Sequence, residues 1–375
     1  MNNSAYLETL EPIVLNVIAP AAAQVDKAGA FPRAALDALS AAGLLGLVSA
    51  AEVGGMGQGM RAAALVVERI AQACGSTAMV VCMHYAATAV IEAHGSRATR
   101  EAIAAGKHVS TLAFSETGSR SQFWAPTSTA ARENGHVRLN ATKSWVTSAG
   151  EADSYVWSSR PMTAEGASSL WLMMPAGATG LAITAAYDGI GLRGNASSPI
   201  AAREVTLDPG ALLGADGKGF DVMMGVVLPY FCLMNAAMSV GNMEAAFAKS
   251  VAHVSGTRFA HVDSALADLP TIRAYVARMR IKIDMARALV MDALDALEGG
   301  RADGMLRVLE VKAAAGETAL EVTDLAMRVC GGAAYRKDVG VDRSFRDARA
   351  ASVMAPTTDV LYDFIGKAVC GMPLF

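Results

Sequence analysis

The sequence predicts an α+β protein whose single chain runs helical, then β, then helical again. Two observations carry this. The first and last parts are rich in alanine and leucine at helical spacing. Between them, short runs of β-branched and aromatic residues alternate with Gly, Pro, Asn and Asp. The expected boundaries are an N-terminal helical domain over 1–108, a middle β-barrel-like domain over 109–216 and a C-terminal four-helix bundle over 217–375.

In the first part, Gly43, the group Gly54, Gly55 and Gly57, and Gly75 break the apolar sequence into helices joined by glycine turns. From Val109 strands are expected over Val109 to Phe114, His136 to Thr142, Ser154 to Ser159, Ser169 to Met174 and Arg203 to Leu207. After Gly219 the period returns to three and four. Val308, Val311, Ala315, Ala319, Val322, Ala326 and Val329 share one face, with Arg307, Glu310, Glu317, Glu321, Asp324 and Arg328 opposite. Ile272, Tyr275, Val276, Met279, Ile283, Ala286 and Val290 repeat the pattern.

A chain of 375 residues that is 53% hydrophobic can bury a large core. Only 18% of residues are charged, the net charge is −3 and no lysine- or arginine-rich block occurs, so no nucleic-acid partner is expected. The apolar stretches Ile13 to Ile18 and Leu44 to Val48 are too short for a signal peptide or a membrane span, and a cytoplasmic location without membrane contact is the default expectation. Cys74, Cys82, Cys232, Cys330 and Cys370 form no C-x-x-C pair and read as reduced core thiols. The six histidines show no ligand spacing, so no metal is expected.

Ala113-Phe114-Ser115-Glu116-Thr117-Gly118-Ser119-Arg120-Ser121 resembles the T-E-P-x-A-G-S-D segment that opens the middle domain of acyl-CoA dehydrogenases. Lys143-Ser144-Trp145-Val146-Thr147 resembles the family's K-x-W-I-T, Cys330-Gly331-Gly332-Ala333-Ala334-Tyr335 its H-G-G-x-G-Y, and Arg346-Asp347-Ala348-Arg349 its R-D-A-K. Gly191-Leu192-Arg193-Gly194 and Gly217-Lys218-Gly219-Phe220 are similar to its passage from β domain to bundle.

The resemblance implies an FAD oxidoreductase. It assigns Trp145 and Thr147 to the flavin ring, Ser115 to its pyrimidine part, Ser121 and Thr357 to the cofactor, and Gly331 and Gly332 to close approach of a neighbouring subunit's dinucleotide. Arg258 and Arg328 stand near the family's inter-subunit FAD contacts, so a dimer or tetramer is implied. On propensity alone Trp145 would be core and Gly331 a helix cap. The implied substrate is an acyl thioester carried on CoA or on a carrier protein, with an electron-transfer flavoprotein as partner.

One part of the pattern fails. The family's catalytic glutamate stands nine residues after the Arg of R-D-A-K, where this chain has Ala355; the alternative position, on the helix after the β domain, falls at Pro229-Tyr230-Phe231-Cys232. Ala355, Phe231 and Arg120, a cation in place of a small residue, are therefore the expected substrate contacts. Three explanations stay open. Asp359, one helical turn beyond Ala355, takes over as base in an α,β-dehydrogenation. The chain is a flavin-dependent monooxygenase, with His84 as acid–base group. Or it acts on a thioester without redox chemistry, or only binds one.

Overall fold

The computed structural model describes residues 5–261 and 263–375. Six helices come first: α1 (Ala5–Ile13), continued through a π turn into α2 (Ala19–Ala28), then α3 (Arg33–Ala41), α4 (Met60–Ala71), α5 (Gly75–His94) and α6 (Arg97–Ala104). Helix α5 is buried on nearly all sides because it lies between α4, the first strand and the bundle.

Two four-stranded sheets follow. One has the order β1 (Ser110–Ala113), β4 (Ser154–Ser159), β5 (Ser169–Met173), β8 (Leu212–Leu213), with β1 and β4 parallel. The other is antiparallel, in the order β2 (Thr129–Glu133), β3 (His136–Val146), β7 (Ser198–Leu207), β6 (Leu181–Ile183). Trp157 and Trp171 are cross-strand partners in the first sheet and both are fully buried. Strands β2, β6 and β8 escaped the sequence reading. Edge strand β2 buries only Ala130, and the other two have three and two residues, too few to show alternation.

The last part holds a short helix α7 (Gly219–Val222) that runs through a π turn into α8 (Leu228–Gly256), then α9 (Pro270–Glu298), α10 (Gly304–Cys330), α11 (Val341–Val353) and α12 (Thr358–Val369). The three-and-four pattern read in α9 and α10 is the face they bury: Met279, Ile283, Ala286 and Val290 meet Val311, Ala315, Ala319 and Val322 in one apolar cluster. Helix α5 and the run 219–256 are long and apolar enough to cross a membrane, but 78% of each such stretch is buried inside the chain, as in core helices. Four cysteines are buried as expected; Cys370 is exposed.

The R-D motif locks the three parts together. Arg346 bonds the Asp26 carboxylate of α2 at 2.7 and 2.9 Å and the Ile190 carbonyl at 2.9 Å, while buried Asp347 accepts the Leu192 N–H at 2.6 Å. Gly191 is required at this junction, since a Cβ there would lie 2.5 Å from the Arg346 carbonyl oxygen.

Candidate active site: a cavity between the β domain and the bundle

The site grows from a buried ion pair. Lys143 on β3 is fully buried, and its Nζ donates to Glu116 Oε1 at 2.5 Å and to the Ser158 carbonyl and hydroxyl at 2.8 Å each. The Glu116 carboxylate also accepts the backbone N–H of Thr127 at 2.5 Å and of Ser128 at 3.1 Å, and both hydroxyls of those residues. Burial pushes the Glu116 carboxyl up, but the Lys143 charge and these donors outweigh it and hold the group below the ordinary carboxylate range. Every lone pair is committed, so Glu116 serves structure.

The register of β3 against β7 shifts between Lys143 and Val146. Lys143 is drawn inward at this irregularity, and two residues on Trp145 stands outward with φ 54° and 69% exposure. Seven non-glycine residues adopt positive φ among the described residues; Arg120 and Trp145 line one cavity, and Ser148, Leu192 and Ala196 flank residues that do. Strained backbone gathers in this way where geometry serves a ligand.

The cavity has a volume of about 750 Å³ and is mainly apolar. Its β-domain wall holds Ser115, Trp145 and Thr147, whose buried hydroxyl shares a 3.1 Å hydrogen bond with Ser197. Its helical wall holds Met79 and Met83 of α5, Phe231 of α8, and Val353, Met354 and Ala355 at the end of α11. The two walls are joined where Ser121 Oγ accepts the Thr357 N–H at 2.9 Å and donates to Thr357 Oγ1 at 3.2 Å. Ser115, Ser121, Trp145, Thr147, Thr357, Arg120, Phe231 and Ala355, far apart in sequence, thus meet in one space.

The residues fit a flavin. An exposed indole face, hydroxyls along one edge and the buried Asn195 Nδ2, a donor without a partner, suit a flat ring that is apolar on its faces and polar at its rim.

Other expected residues lie elsewhere. His84 is fully buried: its Nε2 donates to the Leu45 carbonyl at 3.0 Å and its Nδ1 accepts the Ser110 N–H at 3.1 Å. Both nitrogens are occupied in the neutral form, and burial lowers the pKa to about 4, so His84 is a structural link rather than an acid–base group. Asp359 is exposed in the first turn of α12 and does not line the cavity. Arg258 pairs with Asp263 on the surface, and Arg328 lies over the Tyr275 ring at 5.2 Å. Gly331 ends α10 with φ 55° and ψ −137°, and a Cβ on it or on Gly332 would meet nothing of this chain within 4 Å.

The sequence reading missed Lys312. This side chain is 1% exposed and its Nζ donates to the carbonyls of Ala351 at 2.9 Å, Met354 at 3.1 Å and Pro356 at 2.8 Å. It fixes the turn that carries Ala355. A charged residue among the apolar positions of α10 was the one available signal. Arg349 and Tyr187 also line the cavity and were not singled out.

Three family models match in succession: the acyl-CoA dehydrogenase N-terminal domain over 2–106, the middle domain over 111–205 and the C-terminal domain over 217–370. The human mitochondrial short-chain specific acyl-CoA dehydrogenase is 27% identical over 362 residues, covering 94% of this chain and 86% of the relative. The cyclohex-1-ene-1-carbonyl-CoA dehydrogenase of Geobacter metallireducens is 26% identical over 373 residues, covering 97% and 96%. The butyryl-CoA dehydrogenase structure from Megasphaera elsdenii superposes with a TM-score of 0.90 over 98% of both chains at 22% identity. Domain order, motifs and cavity agree with these matches: the chain belongs to the acyl-CoA dehydrogenase family of FAD oxidoreductases.

Proposed function

We propose that the chain oxidises the acyl group of a thioester held in this cavity, α,β-dehydrogenation being the reading, without a carboxylate of its own as the base. The observation that carries the second half is electrostatic. Among the described residues the cavity wall contains one carboxylate, Glu116, and every acceptor site on it is taken, while Ala355 occupies the place of the family's glutamate. A positioned base contributes roughly 10²- to 10⁴-fold to a proton transfer. That factor has to come from solvent or from the substrate itself.

The chain's own groups supply binding and orientation. Trp145 offers an apolar face for the cofactor, and Ser115, Thr147 and Asn195 offer polar contacts along its rim. Met79, Met83 and Phe231 give the acyl chain an apolar wall and exclude water from it. FAD, when bound, supplies the two-electron acceptor. Arg258, Arg328, Gly331 and Gly332 stay candidates for contact with a neighbouring subunit's cofactor in a dimer or tetramer, and an electron-transfer flavoprotein for the onward electron path. The oxygenase alternative loses the acid–base group it rested on, because His84 is sealed in the core.

The test is anaerobic mixing of the FAD-loaded protein with saturated acyl-CoA and acyl-carrier thioesters, following the oxidised flavin band. Slow bleaching supports the proposal. A flavin that no thioester reduces, but that a reductase does, overturns it in favour of oxygenation or a non-redox role.

A further inference from the structure

Residues 371–375 turn back from the end of α12. The Gly371 N–H donates to the Ala368 carbonyl at 3.2 Å and the Met372 N–H to the Lys367 carbonyl at 2.9 Å. With Gly371 at φ 69°, this is the left-handed helix ending that glycine allows. Pro373 follows and cannot continue a helix. The Lys367 ammonium then bonds the Leu374 carbonyl at 3.4 Å, so the segment runs back beside the helix it has just left.

Phe375 is 63% exposed, yet its ring meets three others edge-on: Phe220 of α7 at 5.1 Å between centroids, Phe364 of α12 at 5.3 Å and Trp124 at 5.6 Å. Trp124 belongs to the loop between β1 and β2, and this loop supplies Phe114, Ser115, Arg120, Ser121 and Phe123 to the cavity wall. The rings continue inward, Trp124 meeting Phe123 at 5.2 Å and Phe123 stacking on Phe114 at 6.3 Å. A row of aromatic contacts thus leads from the surface to the cavity. The same loop is pinned at the other end of α12, where Ser121 bonds Thr357. Arg120, between these two attachments, has φ 50°, a conformation that a residue with a Cβ disfavours, so the loop depends on being held.

Resting on the assignment of Ser115 and Ser121 to FAD, we propose that residues 371–375 form a strap that holds this loop in its cofactor-binding shape, with Phe375 and Trp124 as positioning residues. Neither ring lines the cavity, so both act through the loop. A loop already held in place loses less conformational freedom when a ligand binds, and affinity rises accordingly. Edge-on aromatic pairs supply the holding contact.

The test compares Phe375→Ala, Phe375→Tyr and Ser121→Ala with the unaltered chain. FAD affinity is read by equilibrium dialysis, and each apoprotein is digested briefly with trypsin, whose cut after Arg120 reports on the loop itself. Phe375→Ala should weaken FAD binding by about tenfold, within reach of losing three aromatic pairs. It should also speed cleavage after Arg120 while leaving other sites unchanged, because the opening is local. Phe375→Tyr keeps the ring and should restore both. Unchanged affinity in Phe375→Ala, beside a loss in Ser121→Ala, overturns the strap and leaves the cofactor assignment intact. Weaker binding without faster cleavage after Arg120 overturns it too, as does faster cleavage throughout the chain, since the segment then adds only general stability. If Ser121→Ala keeps full FAD affinity, the assignment beneath the inference fails and the inference falls with it.

Discussion

Lys143 and Glu116 meet at 2.5 Å in the interior of the β domain, and two residues beyond Lys143 the Trp145 indole stands out into the cavity. The pair fixes the irregular end of β3, so the exposed indole proposed as the cofactor face and the one carboxylate among the described residues of the cavity wall belong to one local arrangement.

Lys143→Met should therefore do two things at once. Removing one partner of a buried pair leaves an uncompensated charge and costs about 3–5 kcal/mol. Urea denaturation of the apoprotein should show that loss, and FAD retention on gel filtration should fall with it. Unchanged FAD retention in a destabilised variant would separate the pair from the placement of Trp145.

Trp145 gives a test with opposite signs. Its left-handed backbone is relieved by glycine, so the Trp145→Gly apoprotein should be more stable than Trp145→Ala by roughly 1 kcal/mol. Both variants should lose FAD affinity, read by equilibrium dialysis. A Trp145→Ala protein that keeps wild-type affinity would remove the indole from the cofactor site.

His84 makes stability depend on pH. Burial lowers its pKa from 6.5 to about 4, so below pH 6.5 the unfolded chain takes up a proton that the folded chain refuses. The contribution is fully present above pH 6.5 and is lost as the pH falls through 6.5 towards 4, amounting to about 3 kcal/mol at the lower limit. Chemical denaturation at stepped pH should show this decline, and His84→Gln should flatten it in that window.

Ala355→Glu restores a carboxylate where the cavity lacks one. If dehydrogenation is the reaction and its slow step is proton removal, single-turnover flavin bleaching by a saturated acyl-CoA should accelerate by roughly 10²- to 10⁴-fold. No acceleration, with FAD content intact, would argue that the chain's chemistry does not begin with an α-proton.

Much of this was legible in the residues. Periodicity in α9 and α10 gave their buried faces, because a helix repeats its environment every three or four positions and shows it locally. Motif resemblance named Trp145, Thr147, Ser121 and Ala355, and the cavity joins them. What the sequence by itself determined was the order of helical, β and helical parts, the family, and the missing glutamate, all properties of runs of neighbouring residues. Tertiary structure alone decided that His84 is sealed inside, that Asp359 faces solvent, that Glu116 is spent on Lys143, and that Lys312 holds the turn of Ala355 from another helix. Each of these depends on which distant groups compete for a side chain's hydrogen bonds and on how much water is left around it, and no spacing along the chain encodes either.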